Sequence, residues 1–141
     1  MGIIVSGFSN IGKSSLLQHK DIKSIDFDTH YFKKVENWEK IYVECVLALK
    51  EVYDYVLITT HGVMLEELNN RNIDYYLVYP NKDLKEEYRQ RAINRNSNED
   101  FVNGFFSSWD EHIHDCEKNK HAKKIILESN QYLSDVIDKL K

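Results

Sequence analysis

The chain reads as an α/β domain in which a parallel sheet is covered by helices on both faces. Three observations predict this. Five short apolar, β-branched or aromatic runs recur along 141 residues, and stretches of helical periodicity separate them. Strands joined through helices pair in parallel, because a crossover needs the length that a helix supplies. The first run leads into Gly7-Phe8-Ser9-Asn10-Ile11-Gly12-Lys13-Ser14, a complete G-x-x-x-x-G-K-[ST] pattern between a strand and a helix. The composition, 42% hydrophobic and 30% charged with one proline and five glycines, contains no repeat or low-complexity stretch. One domain spanning residues 1–141 is expected, long enough to bury a core without disulfides or metal.

Each element can be justified in order. Ile3-Ile4-Val5 is a buried strand, and Ser14-Ser15-Leu16-Leu17-Gln18 opens the first helix. Ser24 to Asp28 is a second short strand with its acidic residues at the end, followed by Thr29-His30-Tyr31-Phe32. Trp38, Ile41, Tyr42, Cys45 and Leu49 recur at helical spacing and predict a helix over Val35 to Lys50. Tyr55 to Thr59 is a third strand ending in Thr60-His61-Gly62, with a short helix over Val63 to Asn69. Tyr75 to Tyr79 is a fourth strand stopped by Pro80, and Asn81 caps a charged helix from Lys82 to about Asn94. The polar run from Asn96 to Asp100 breaks that helix. Phe101, Phe105, Trp109, Ile113 and Cys116 then share one predicted helical stripe. Lys124 to Glu128 supplies a fifth strand, and Tyr132 to Leu140 a closing helix.

The glycine-rich segment carries the chemistry. Gly7 and Gly12 let the backbone turn so that N–H groups at Ser9, Asn10, Ile11, Gly12, Lys13, Ser14 and Ser15 face an anion, with the following helix N-terminus adding partial positive charge. Lys13 would reach the β- and γ-phosphates, and the Ser14 hydroxyl would hold Mg²⁺. Ligands of open parallel sheets bind at the carboxyl ends of the strands. The loop, Asp28 and His61 all follow strand ends and are expected on one rim.

These residues resemble the small-molecule branch of the P-loop kinases, the family of nucleoside monophosphate, shikimate and gluconate kinases. The match is carried by Gly7 to Ser14, by Asp26-Phe27-Asp28, similar to the D-x-D of shikimate-type kinases, and by Arg91-Ala92-Ile93-Asn94-Arg95, similar to the R-x-x-x-R bracketing the lid of adenylate-kinase-like proteins. The chain also resembles uncharacterised P-loop proteins of phages and Gram-positive bacteria. The resemblance implies a three-layer P-loop NTPase fold with sheet order 2-3-1-4-5. It further implies ATP and Mg²⁺ as cofactors and transfer of a γ-phosphoryl group to a nucleotide or similar small metabolite. Two departures stand out. The third strand ends without an acid, and only a few polar residues separate Arg95 from Phe101, so the lid is reduced. A nucleotide-binding regulatory module without efficient turnover, or a kinase acting on a polynucleotide or modified base, are the competing readings.

Within this frame Lys13, Asp28, Arg91 and Arg95 are the candidate catalytic residues, and Ser14, Asp26 and Asp28 the candidate metal ligands. Asp26 and Asp28 are two apart and share a face of an extended segment, so one could take a proton while the other orders Mg²⁺-bound water. Leu84, Tyr88, Arg91 and Arg95 form one helical stripe aimed at the rim, and Arg89 lies about 200° from Arg91. His61 could contact phosphate or base, or cap the following helix. His30, Tyr31, Phe32 and Trp38 could stack on an acceptor ring, although such aromatics more often form core.

Other features exclude partners. The net charge of −4, with acids and bases interleaved, shows no basic stripe and argues against a polynucleotide. No apolar run approaches the ~18 residues of a membrane span, and the chain opens directly on strand residues, so no signal peptide is expected and the location is read as cytoplasmic. Cys45 and Cys116 lie on apolar stripes without metal spacing and read as buried thiols. His112 and His114, adjacent to different helix faces, do not form a ligand set. The acceptor and the oligomeric state are left open by the residues.

Overall fold

The computed structural model describes residues 2–29 and 33–140. Its strands are β1 (Ile3–Gly7), β2 (Ser24–Asp26), β3 (Tyr55–Ile58), β4 (Tyr76–Pro80) and β5 (Lys123–Leu127). They form one sheet in the order β2-β3-β1-β4-β5, with every pairing parallel. The helices are α1 (Lys13–Leu17), α2 (Trp38–Lys50), α3 (Gly62–Asn70), α4 (Lys85–Asn94), α5 (Glu99–Ser107) and α6 (Trp109–Lys118), flanking the sheet. β1 is central because its residues from Ile4 to Gly7 are buried and bond to strands on both sides, Ile4 pairing with Val56 and Ser6 with Leu77. β5 is an edge, and it exposes Lys123, Lys124 and Ile126. Exposed lysines on an edge strand discourage pairing with another chain. Among the described residues no helix is long and apolar enough to cross a membrane.

Several boundaries differ from the sequence expectation, each for a local reason. Helix α2 starts at Trp38 rather than Val35, because Asn37 adopts a left-handed conformation at φ 59° that interrupts any earlier turn. Its buried face is Trp38, Tyr42, Val43 and Val46, while Ile41 is exposed and Cys45 only half-buried. Neighbouring apolar residues at 41, 42 and 43 left the phase of that stripe ambiguous. The helix expected to run on from Phe101 is broken at Ser108 into α5 and α6. Val102 and Phe106, not Phe101, face the core from α5, and the break restores Trp109, Ile113 and Cys116 to it. The helix after β4 begins as a 3₁₀ turn over Lys82–Leu84, capped by the Asn81 side chain as expected. The closing segment Leu133–Lys139 is 3₁₀ rather than α, fixed at its start by Asp135 accepting from the Tyr132 N–H.

The core around the first loop is aromatic. Phe8 is buried and meets the edges of Trp109 at 5.3 Å and Phe105 at 5.5 Å between centroids. Trp109 also stacks on Phe106 at 5.7 Å and donates its indole N–H to the Lys82 carbonyl at 3.0 Å. One tryptophan thus ties α4, α5 and α6 to the residue that starts the glycine-rich loop. Trp109→Ala should cost about 3–5 kcal/mol of unfolding free energy by chemical denaturation, and a loss below about 1 kcal/mol would remove Trp109 from this role.

Candidate active site at the strand ends

The loop between β1 and α1 leaves the sheet where neighbouring connections diverge, between β3 and β4. The Phe8 N–H still bonds the Val78 carbonyl at 2.9 Å, so the chain is held to β4 before it turns. Asn10 at φ 66° and Gly12 at φ 92° are both left-handed, and they fold the loop back on itself. A Cβ on Gly7 would lie 2.6 Å from the Ile11 side chain, and one on Gly12 would lie 2.8 Å from the Tyr132 ring. Gly12 is therefore required by conformation and crowded by the Tyr132 ring, whereas a side chain at Gly7 would need the end of Ile11 to shift. Ile11 is fully buried beneath the loop, and its carbonyl accepts from the Leu133 N–H at 2.8 Å. Among the described residues the N–H groups of Ile11, Gly12, Lys13 and Ser14 have no acceptor, while Ser15 bonds back to Gly12 at 3.2 Å. A row of uncommitted N–H donors at the start of a helix is an anion-binding concavity.

Arg91 braces this loop from outside. Its guanidinium donates to the Asn10 carbonyl and the Gln131 carbonyl, each at 3.0 Å, and to Glu87 at 3.2 Å. The same group lies 4.3 Å from the Tyr88 ring centroid and 3.9 Å from that of Tyr132. Glu87 in turn accepts from the Ser129 hydroxyl and the Asn130 N–H, which holds its carboxyl below the usual range. Arg95 donates to the Asn10 side chain at 2.8 Å and adds its positive field to Lys13. The stripe from Tyr88 to Arg95 does reach the rim as expected. Arg91, however, is occupied in holding the loop, and Arg95 is the more exposed of the two. Arg89 lies apart, lining a second hollow between α4 and α5.

Facing the loop, Asp26 and Asp28 converge with Lys13. Burial lowers the Lys13 pKa, and the fields of Asp26 and Asp28 partly restore it. Burial raises the Asp26 pKa against the pull of Lys13, with Asp28 raising it further. Among the described residues the buried Oδ1 of Asp26 has no hydrogen-bond partner. The segment is held rigidly: the Phe27 N–H bonds Leu57 at 2.8 Å, its carbonyl accepts from the Tyr42 hydroxyl, and its ring stacks on Tyr42 at 4.6 Å. Burial and the two carboxylates drive the Tyr42 pKa far above its ordinary value, so Tyr42 stays a donor. Ser6 donates to the Thr59 carbonyl at 2.7 Å, and the Thr29 and Thr59 hydroxyls meet at 3.3 Å, linking the ends of β1, β2 and β3.

The structure treats the remaining candidates differently. His61 occupies the N-cap position of α3 but makes no capping bond, and instead meets the Trp38 ring edge-on at 5.1 Å. Partial burial and then Lys34 lower its pKa. Trp38 is core, packed against Tyr42, rather than a platform for a ligand. His30, with Tyr31 and Phe32, lies outside the described residues. Cys116 is buried with its thiol pushed up to about 12, chiefly by desolvation. Among the described residues no three His, Cys, Asp or Glu side chains gather as a metal cluster. Sequence reasoning missed Glu87, Gln131, Tyr42 and Tyr132. The spacing of Glu87 and Arg91 at i, i+4 was the one available signal.

No protein-family model and no curated protein matches the chain. Solved structures do share its architecture. The tunicamycin resistance protein of Deinococcus radiodurans aligns over 99% of this chain and 93% of its own, with a TM-score of 0.59 at 10% identity. An uncharacterized protein from Eubacterium ventriosum aligns over 99% and 96%, with a TM-score of 0.51 at 15% identity. The likeness is one of fold, an α/β domain whose parallel sheet has the order 2-3-1-4-5.

Asp26 is the residue whose burial works most clearly against stability. Since its pKa is raised in the fold, the ionised carboxylate weakens the folded state at neutral pH, and that deficit closes as pH falls through the raised value toward the ordinary carboxyl range. Asp26→Asn should therefore raise the melting temperature of the ligand-free protein near pH 7, and the gain should shrink in acid. Thermal melts across pH test this. A gain that stays constant down to about pH 4 would show that the carboxyl charge is not the cause.

Proposed function

We propose that the chain has the P-loop NTPase fold and is an ATP-dependent phosphotransferase with a reduced lid, acting on a small-molecule acceptor. The observation that carries this reading is the Gly7 to Ser14 loop with its unpaired N–H groups, its two space-restricted glycines and Lys13 set opposite two carboxylates. These residues fit a nucleoside triphosphate. The N–H groups from Ile11 to Ser14 would hold its phosphates, and Ser14 with Asp26 and Asp28 would hold Mg²⁺. The orphaned Oδ1 of Asp26 suits a cation or its bound water. ATP supplies the phosphoryl group, and Mg²⁺ neutralises its charge.

The chain's own residues then have distinct tasks. Lys13 places positive charge at the transferring group, and Asp28 receives the proton of the acceptor. Arg95, exposed beside Lys13, adds charge that matters most in the transition state. Arg91 fixes the Asn10 carbonyl and so keeps the N–H groups pointed inward. That engagement of Arg91 also favours the second reading, a nucleotide-binding module with little turnover.

Direct binding of Mg-ATP, followed by ADP formation against a panel of nucleosides, nucleotides and small alcohols, separates the two. Tunicamycin belongs in that panel because a similarly folded protein is a tunicamycin resistance protein. Lys13→Ala should abolish Mg-ATP binding while the protein remains folded, and unchanged affinity and turnover would overturn the phosphate-loop assignment. Asp28→Asn should lower kcat about 100-fold. Arg95→Ala should lower kcat by about 10²–10³ with a smaller effect on ATP affinity, whereas Arg91→Ala should weaken ATP binding and Arg89→Ala do little. Binding without ADP formation for every acceptor would select the regulatory module.

A further inference from the structure

A cavity of about 970 Å³ starts beyond the ends of β2 and β3 and runs along the groove between α3 and α6. Its volume is at the upper end for small-molecule sites. At one end stand Thr29, Thr59 and Thr60, and Thr29 directly follows Asp28 in the chain. Along one wall lie Phe105 and His112, stacked at 4.7 Å with only 20° between their planes. Both rings stand T-shaped to Phe8, a residue of the glycine-rich loop itself.

We propose that this cavity is the acceptor site and that it takes an uncharged, hydroxyl-bearing molecule with a flat ring: a nucleoside rather than a nucleoside monophosphate. The proposal rests on the phosphotransfer reading and adds the acceptor to it. Charge is the first argument. Glu66 lies in the wall, and Asp26 and Asp28, which already face Lys13, stand near the threonine end, so a phosphate dianion would approach three carboxylates. The cations around them are largely spoken for. Lys118 is paired with Asp115 at 3.2 Å, Lys34 lies over the Trp38 ring, and Arg71 is held by Glu67 and Glu44. Lys120 alone lines the cavity without an ion pair among the described residues.

The second argument is recognition. Threonine hydroxyls donate and accept, which suits the hydroxyl groups of a sugar. Phe105 is stacked with both Phe101 and His112, so the His112 ring is the surface that meets a flat heterocycle. The third is chemistry, since an alcohol needs a base and an ionised phosphate does not. In transfer to an alcohol, the acceptor oxygen forms its bond to the γ-phosphorus as the bond to the bridging oxygen breaks. That electron pair leaves with the nucleoside diphosphate, and the hydroxyl proton passes to Asp28.

Calorimetric titration without any ATP tests the site apart from turnover. The probes are adenosine, guanosine, cytidine and uridine, each against its 5′-monophosphate. At least one nucleoside should bind the native protein, and its monophosphate should bind at least tenfold more weakly. His112→Ala should lose about tenfold in nucleoside affinity, the size of one aromatic stacking contact, while His112→Phe should retain it. Thermal melts confirm that both variants fold. Tighter binding of a monophosphate, binding of no nucleoside, or a nucleoside indifferent to His112→Ala would each overturn the proposal. None of these results bears on the Lys13→Ala measurement, so the phosphotransfer reading fails or stands separately.

Discussion

A loop that presents bare N–H groups to solvent has no internal reason to keep its shape, because those groups gain nothing from one another. Here the shape is imposed by the guanidinium of Arg91, held between two tyrosine rings and bonded to Asn10, Gln131 and Glu87. Three distant parts of the chain meet at that one planar group: the loop after β1, helix α4 and the turn before the closing 3₁₀ segment. Lysine could not do the same, since the contact needs a flat cation that stacks on both faces while donating at its edge. Placement of Lys13, of the loop N–H groups and of the floor beneath them by Ile11 all follow from this brace.

The rim opposite is organised on a different principle. Asp26, Asp28 and Lys13 are partly withdrawn from water, and for Asp26 and Lys13 that withdrawal carries a cost in desolvation. The attraction between Lys13 and the carboxylates offsets only part of that cost, and among the described residues one Asp26 carboxylate oxygen has no hydrogen-bond partner. Such arrangements are retained at sites where charge must be available to something that arrives later. The surrounding bonds are correspondingly well made, with Tyr42, Ser6 and Thr59 fixing the backbone so that the charged side chains have little freedom to relax away.

How much of this could be read from residues alone depended on whether the information was local. The alternation of strands with helices and the loop were legible because periodicity and a fixed-spacing glycine motif are short-range signals, whereas the sheet order was expected only through the resemblance to P-loop kinases. The convergence of Asp26, Asp28 and Lys13 was legible through the rule that strand ends share a rim. The phase of α2 and the break at Ser108 were not, because runs such as Ile41-Tyr42-Val43 and Phe105-Phe106 offer two nearly equal apolar faces and only tertiary packing chooses between them. Arg91 was correctly aimed at the rim, yet its engagement depends on Tyr132 and Gln131, some forty residues away, and no spacing rule connects them. The cavity wall of Phe105 and His112 was hidden for the same reason, being made across the break between two helices.

The tie between the Ile11 carbonyl and the Leu133 N–H has a consequence for how the molecule comes into being. The glycine-rich segment leaves the ribosome well before residues 129–133, which give it curvature. During synthesis β1 can pair with β3 and β4 while the loop beside it stays unshaped, so a nascent chain carrying most of the sheet has no rigid cradle for an anion. The loop takes its shape only when residues 129–133 dock, so a chain interrupted before that point would carry most of the sheet with the loop unshaped. The brace thus separates the part of the chain that builds the sheet from the part that shapes the loop beside it.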